Sequence, residues 1–469
     1  MARLPVAIQS YRHRYLTISA QRCLNWFAEQ EPRDAKSPLA LLPTPGLRLF
    51  ATLTTGPIRG MHVSGAFLYC VAGAGVYKVA VDGTVTPIGA VADGGPVDMD
   101  DNGTQLGIVV PDTGQMWFIT LADDTITQVT DEDFVSASSI CVVNSFTICP
   151  RVDTTTFAIS ASSDMAAWDA LDFASAETNS DNIQRVRSID GNLWIFGERS
   201  IEIWAGSSNP DFPFERLSGG YISRGTAARF SVATRGGVPF WLGDDRVVYR
   251  AEGTNPVRIS THAIEQAIAG YGVVSDAVGF VYEQEGHVFY VLSFPTGGDT
   301  WVYDTITNVW HERESEGDAY GGTWRVPLAI AYGGAIIAGD KLDGKLYVVD
   351  PTTFDEVGQE IIRVAAMAPI QNEGKTLFFP LFELDAQTGV GLVTGQGAEP
   401  TIWLTWSDDG GRTWSNEHYA SLGPIGAHET RVRWNRLGRS RDRVFRVQMS
   451  DPVGTTLLAA NIEIREGRW

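Results

Sequence analysis

The chain is poor in the residues that most enzymes and secreted proteins depend on. Only four cysteines occur in 469 residues (Cys23, Cys70, Cys141 and Cys149), with no Cys-x-x-Cys pair, and the seven histidines are scattered without ligand spacing. That argues against zinc-finger and disulfide-framework designs and leaves buried thiols as the expectation, Cys70 lying inside the apolar run FLYCV. No stretch of about 18 apolar residues could span a membrane as a helix. The opening MARLPVAIQSYRHRY lacks the apolar core of a signal peptide, so a soluble product made in the cytoplasm, without membrane insertion, is expected. Catalytic signatures are missing too. There is no Gly-x-Ser-x-Gly elbow and no His-Glu-x-x-His helix, and AGAGVYK lacks the full phosphate-cradling pattern and the helix after it. No catalytic residue, metal or cofactor is expected.

One sign of charge is also missing over a long interval. From Lys78 to Arg151 no basic residue intervenes, while eleven acids do, within a chain of net charge -20. Near the other end the sign reverses: RVRWNRLGRSRDRVFR holds Arg431, Arg433, Arg436, Arg439, Arg441, Arg443 and Arg446 against Asp442 alone. Such segregation points to directed electrostatics with partners or a charged polymer, or else to a solvated acidic face and an arginine-rich strand pair.

Helical periodicity is almost confined to STHAIEQAIAGY, where Ser260 or Thr261 can cap and Ile264 and Ile268 share a face. Elsewhere alternating runs of four to six residues recur between Gly/Asp/Pro turns, so the chain reads all-β. A unit repeats with an aromatic-centred strand in its middle. Its equivalent positions are Tyr77, Trp117, Ile159, Trp204, Tyr249, Tyr303 and Tyr347, spaced by 40, 42, 45, 45, 54 and 44 residues. That is the period of propeller blades, and the central side chains are expected in the inter-blade core. The expected architecture is a β-propeller of about seven, alternatively six, blades over 56–358, a C-terminal β-sandwich over 359–469, and an irregular N-terminal arm over 1–55.

Between TIWLTW and HYASLG lies WSDDGGRTW, which fits the Ser-x-Asp-x-Gly-x-Thr-Trp pattern known as the Asp box in sialidases. Ser407 and Asp409 can bond their own backbone, Gly411 can take positive φ and Trp414 can fold over the turn, so a structural hairpin turn accounts for the motif. A sialidase propeller resembles a set of several such boxes spread over its blades. This chain has one, outside the repeat. Because carboxylates abound, a two-acid glycosidase remains an alternative, as does a carbohydrate-binding propeller.

The segments ISAQRCLNWFAEQEP, PTPGLRLF and GPIRGMHV resemble the packaged-DNA stabilisation proteins of short-tailed bacteriophages, also called tail nozzle or hub proteins. So do the stretch from LWIFGERSIEIWAG to ARFSVA, WLGDDRVVYRAEGTNPVRI and WLTWSDDGGRTW. The resemblance spans nearly the whole chain and is thinnest over 85–180. It implies a structural virion protein of the tail, made in the bacterial cytoplasm. The implied assembly is a homo-hexameric tube below the portal and its adaptor ring, the head-to-tail connector. It retains packaged DNA, carries a tail fibre or spike and a tail plug or needle, and passes double-stranded DNA without sequence-specific binding. On the charge pattern, Asp98, Asp100, Asp101, Asp131, Glu132 and Asp133 are expected to line the DNA channel, since acidic walls repel phosphates and leave no binding minimum. Arg12, Arg14, Arg22, Arg431, Arg433, Arg436, Arg439, Arg441 and Arg443 are expected at subunit or adaptor interfaces.

Overall fold

The computed structural model describes residues 2–32, 34–209 and 212–467. Apolar residues alternate with polar ones in runs short enough to be single strands, and turns with positive-φ glycine or Asx geometry return each strand on its predecessor. Four such antiparallel strands make a blade. Blade 1 has strands Ile58–Ser64, Phe67–Ala72, Gly75–Val79 and Val85–Ala90. Blade 2 runs from Asp98–Asp101 to Thr125–Gln128, blade 3 from Cys141–Val143 to Asp164–Ser175, and blade 4 from Ile183–Ile189 to Phe214–Ile222. Blade 5 extends from Ala233–Arg235 to Asn255–Arg258 and blade 6 from Val278–Gln284 to Val309–Glu312.

Blade 7 is a composite. Its first three strands, Ala329–Tyr332, Ala335–Gly339 and Lys345–Asp350, come from the end of the repeat, and its outermost strand is Gly46–Thr52. Tyr347 pairs with Leu49 and Val349 with Leu47, so residues some 300 positions apart close the ring. All seven repeat positions lie on the third strand of their blades. Tyr77, Trp117, Ile159, Tyr249, Tyr303 and Tyr347 are buried, and Trp204 is packed against the core shared by blades 3 and 4. The helix His262–Gly270 is capped by Thr261 and buries Ile264 and Ile268 against blades 5 and 6.

The sandwich follows. One sheet has the order Val432–Asn435, Leu377–Ala386, Leu457–Glu466, Leu39–Pro43, Trp26–Gln30, with Ala2–Leu4 paired to Leu457–Glu466. The facing strands are Ala20–Leu24, Arg363–Ala366, Asp442–Met449, Thr401–Ser407 and His418–Ser421, and they continue the sheet of blade 6 through a bridge between Leu24 and Glu312. Trp26, Phe379, Phe382 and Phe445 fill the space between the two sheets. Residues 2–32 and 34–55, expected as an irregular arm packed on the rest of the chain or on a neighbouring subunit, pack on the chain itself and do so largely as strands. They complete blade 7, add to both sandwich sheets and tie the two domains together. Their pieces are two to seven residues long and, apart from the local pairs Tyr11–Arg12 with Ala20–Leu24 and Trp26–Gln30 with Leu39–Pro43, their partners lie hundreds of residues away, so little local pattern announced them.

Candidate functional site

The Asp-box stretch forms a closed turn between the paired strands Thr401–Ser407 and His418–Ser421. Ser407 Oγ donates to Asp409 Oδ1 (2.6 Å) and accepts from Gly411 N (2.7 Å), while Asp409 accepts from the backbone N–H groups of Arg412 and Thr413 and from the Thr413 hydroxyl. These donors hold the Asp409 carboxyl well below the usual carboxylate range. Gly410 (φ 76°) and Gly411 (φ 93°) are left-handed, and a Cβ on Gly411 would sit 2.8 Å from Ala20 Cβ. Trp414 lies under the Arg446 guanidinium at 3.8 Å. The side-chain polar atoms of Ser407, Asp409 and Thr413 point back into their own turn.

The arginines divide. Arg443 is 2% exposed and grips Asp408 with two bonds, Nε to Oδ1 at 2.6 Å and Nη2 to Oδ2 at 2.7 Å. Its expected place at an interface is therefore corrected: it pins the Asp-box turn from inside. Arg22 bonds Glu312 (2.7 Å) and Arg431 bonds Glu383 (2.8 and 2.7 Å), so both charges are matched within the chain. Arg12, Arg14, Arg433, Arg436, Arg439 and Arg441 are exposed and make no ion pair among the described residues. The last four follow the open edge strand Val432–Asn435 and the turn after it, where charge also guards an edge against pairing with another sheet.

The six acids divide as well. Asp98, Asp100 and Asp101 occupy the innermost strand of blade 2, around the propeller's own axis. Asp98 is 2% exposed. Its Oδ1 accepts from Arg185 Nη2 (3.0 Å) and Arg187 Nη2 (2.7 Å), its Oδ2 from Arg187 Nη1 (3.0 Å) and Ser139 Oγ (2.6 Å). Asp98 as a channel-lining charge is thus corrected, because its charge is consumed inside the protein, linking blades 2, 3 and 4. Arg185 also donates to the carbonyls of Arg229 and Val232 and so reaches blade 5. Asp100 accepts from Val142 N (2.8 Å), and burial raises its pKa; Asp101 faces His62 Nε2 at 2.7 Å, which lowers its own. Asp131, Glu132 and Asp133 lie apart, in the connection from blade 2 to blade 3. Asp131 accepts there from Trp168 N (3.1 Å) and Asp133 N (3.0 Å), and Glu132 is exposed.

Sequence reasoning missed Arg185 and Arg187. Their i, i+2 spacing in a strand puts both on one face, and this was the signal available. Together with Phe230, whose ring lies 5.0 Å from the Arg185 guanidinium, they narrow the propeller axis to a waist of about 180 Å³ between mouths of about 600 and 800 Å³. No duplex can thread such an axis. Among the described residues no group of three or more His, Cys, Asp or Glu could hold a metal ion.

Comparisons with known proteins agree with this architecture in both halves. The family model of the bacteriophage P22 Gp10 β-propeller matches residues 20–354, and that of the bacteriophage P22 Gp10 β-sandwich matches residues 362–465. No curated protein matches the chain. Similar solved structures include the computationally designed Ika8 protein, at 9% identity, covering 71% of this chain and 100% of that one, with TM-score 0.40. The RRP9 WD40 repeats align at 9% identity over 66% and 99% of the two chains with TM-score 0.41, and the mitotic checkpoint complex at 11% over 69% and 97% with TM-score 0.42. Likeness at this level carries no argument about function.

Proposed function

The chain belongs to the bacteriophage P22 Gp10 family, structural proteins of the phage tail hub, and from that premise we propose that it forms a ring of six copies whose shared lumen, not any single propeller, conducts the genome. One observation carries the proposal. With the propeller axis narrowed by Arg185, Arg187 and Phe230 to a waist of about 180 Å³, a duplex passing this protein has to run between subunits. A closed rotational assembly supplies such a path without leaving unpaired ends. In the ring, the exposed arginines of the sandwich edge, Arg433, Arg436, Arg439 and Arg441, with Arg12 and Arg14, meet a neighbouring subunit or the connector above. Other surfaces hold the fibre or spike and the tail plug or needle.

Asp131, Glu132 and Asp133, outside the propeller axis and within the base-free interval, are the acids left to face the lumen. There they keep phosphates from settling on the wall. Asp100 and Asp101 face their own subunit's axis and take no part. The test is a tail carrying Asp131→Asn, Glu132→Lys and Asp133→Lys, which keeps an acceptor for the Trp168 N–H. Assembly should be unchanged and genome ejection slower, most of all at low ionic strength where the Debye length is longest. Ejection at the wild-type rate in low salt would contradict the lumenal placement.

A further inference from the structure

The mouth of the propeller where the inner strands of blades 1 and 6 begin holds a cavity of about 600 Å³, walled by six of the seven blades. Arg59 is 3% exposed at its wall. Its Nε donates to Gly95 O (2.7 Å) and its Nη1 to Gly73 O (2.7 Å) and Ala92 O (2.8 Å), whereas Nη2 has no hydrogen-bond partner. Nη2 is buried beside Gly94, where a Cβ would come to 3.4 Å from it. Across the mouth, the Arg229 side chain makes no hydrogen bond or ion pair among the described residues, and its Nε is buried without a partner. Lys341 adds a third cation to the wall. The acids of the wall are Asp112, which accepts from Gly95 N (2.7 Å), and Asp276. Asp276 accepts from Thr296 N through Oδ2 (2.9 Å), while its Oδ1 is buried without a donor.

Buried polar atoms without partners are rare in folded proteins, and here guanidinium donors and a carboxylate acceptor share one cavity of ligand size. Asp93 Oδ1 lies 4.0 Å from Arg59 Nη1, so three acids balance the three cations, and a monoanion brings less uncompensated charge into the mouth than a phosphate dianion. A carboxylate takes two guanidinium donors in a fixed fork. The free Asp276 oxygen calls for a hydroxyl on the same molecule, and Phe230 with Pro295 offers an apolar wall to a ring face. We propose that this mouth is a binding site for an acidic sugar, with the carboxylate on Arg59 and Arg229 and a ring hydroxyl donating to Asp276. The proposal is independent of the tail reading above.

Titration calorimetry of the full chain with glucuronate tests it, with glucose as the ring without the charge, acetate as the charge without the ring, and phosphate as the competing anion. Glucuronate should bind saturably and at least about tenfold more tightly than each of the others, the margin of one charge-assisted hydrogen bond. Arg229→Ala, which removes a side chain with no internal bond, and Asp276→Asn should each weaken glucuronate about tenfold while leaving the melting temperature of Arg229→Ala near wild type. Absence of saturable glucuronate binding, equal binding of glucose, acetate or phosphate, or unchanged affinity in Arg229→Ala would each overturn the assignment.

Discussion

At the scale of single residues, the propeller is held around its axis by one carboxylate shared between two guanidiniums. Replacing Asp98 by Asn leaves Arg185 and Arg187 buried without a counter-charge, and removal of one partner of a buried ion pair costs about 3–5 kcal/mol. Chemical denaturation of Asp98→Asn should show a loss of that size in the propeller transition, and a loss below about 1 kcal/mol would mean the pair is surface-like. A second residue-scale expectation concerns pH. Burial holds the His311 pKa down at about 3, from an ordinary value near 6.5. The unfolded chain therefore binds this proton first, so stability is complete above about pH 6.5 and falls as the pH drops toward 3, by about 1.4 kcal/mol per unit. His311→Phe, packed between Phe27 and Phe289, removes that slope, and its stability relative to wild type should rise steadily between pH 6.5 and 4. Parallel curves for the two proteins would refute it. The Asp-box turn was legible from sequence because Ser407, Asp409 and Gly411 bond within five residues of one another. The Asp98 network was not, its arginines being 87 and 89 positions away. Charge counting also gathers acids such as Asp82 and Asp123, which each accept a backbone N–H two residues on, a turn-forming task that adds to the acidic composition.

At the scale of elements, the strand Gly46–Thr52 decides whether the ring closes. Leu47 on that strand is fully buried, and the pairing from Gly46 to Thr52 covers what is otherwise a bare edge on Lys345–Asp350. A chain lacking residues 2–55 also loses Trp26–Gln30 and Leu39–Pro43 from the sandwich and Ala20–Leu24 from the sheet that joins it to blade 6. Such a truncation is expected to aggregate through the exposed edges, seen as loss of the monomeric peak in size-exclusion chromatography and of a cooperative melt. A monodisperse, cooperatively melting product would show that closure is dispensable. The blades themselves were readable because each repeats its turn chemistry every 40 to 54 residues with a central aromatic in six of the seven and Ile159 in the other, and Tyr77 through Tyr347 all fell on third strands. The strands of residues 2–55 were not, since Tyr11–Arg12 and Ala2–Leu4 are too short to alternate and take their identity from partners at Ala20 and Ile462.

At the scale of the whole molecule, the closed axis, the strands that stitch propeller to sandwich and the segregated surface charge describe a rigid tile rather than a pore. In the proposed ring the tile acquires its channel by repetition. Its acidic connection at Asp131–Asp133 and its arginine edge at Arg433–Arg441 lie on different domains, which in the proposed ring would let one sign of charge face inward and leave the other for contacts between copies. Single-particle electron microscopy of the assembled tail measures this most directly. The expected map has six copies of this chain in a closed ring, with the DNA path between subunits and no density for DNA along any propeller axis. A single copy per tail, an open stack, or DNA threading one propeller would contradict the account.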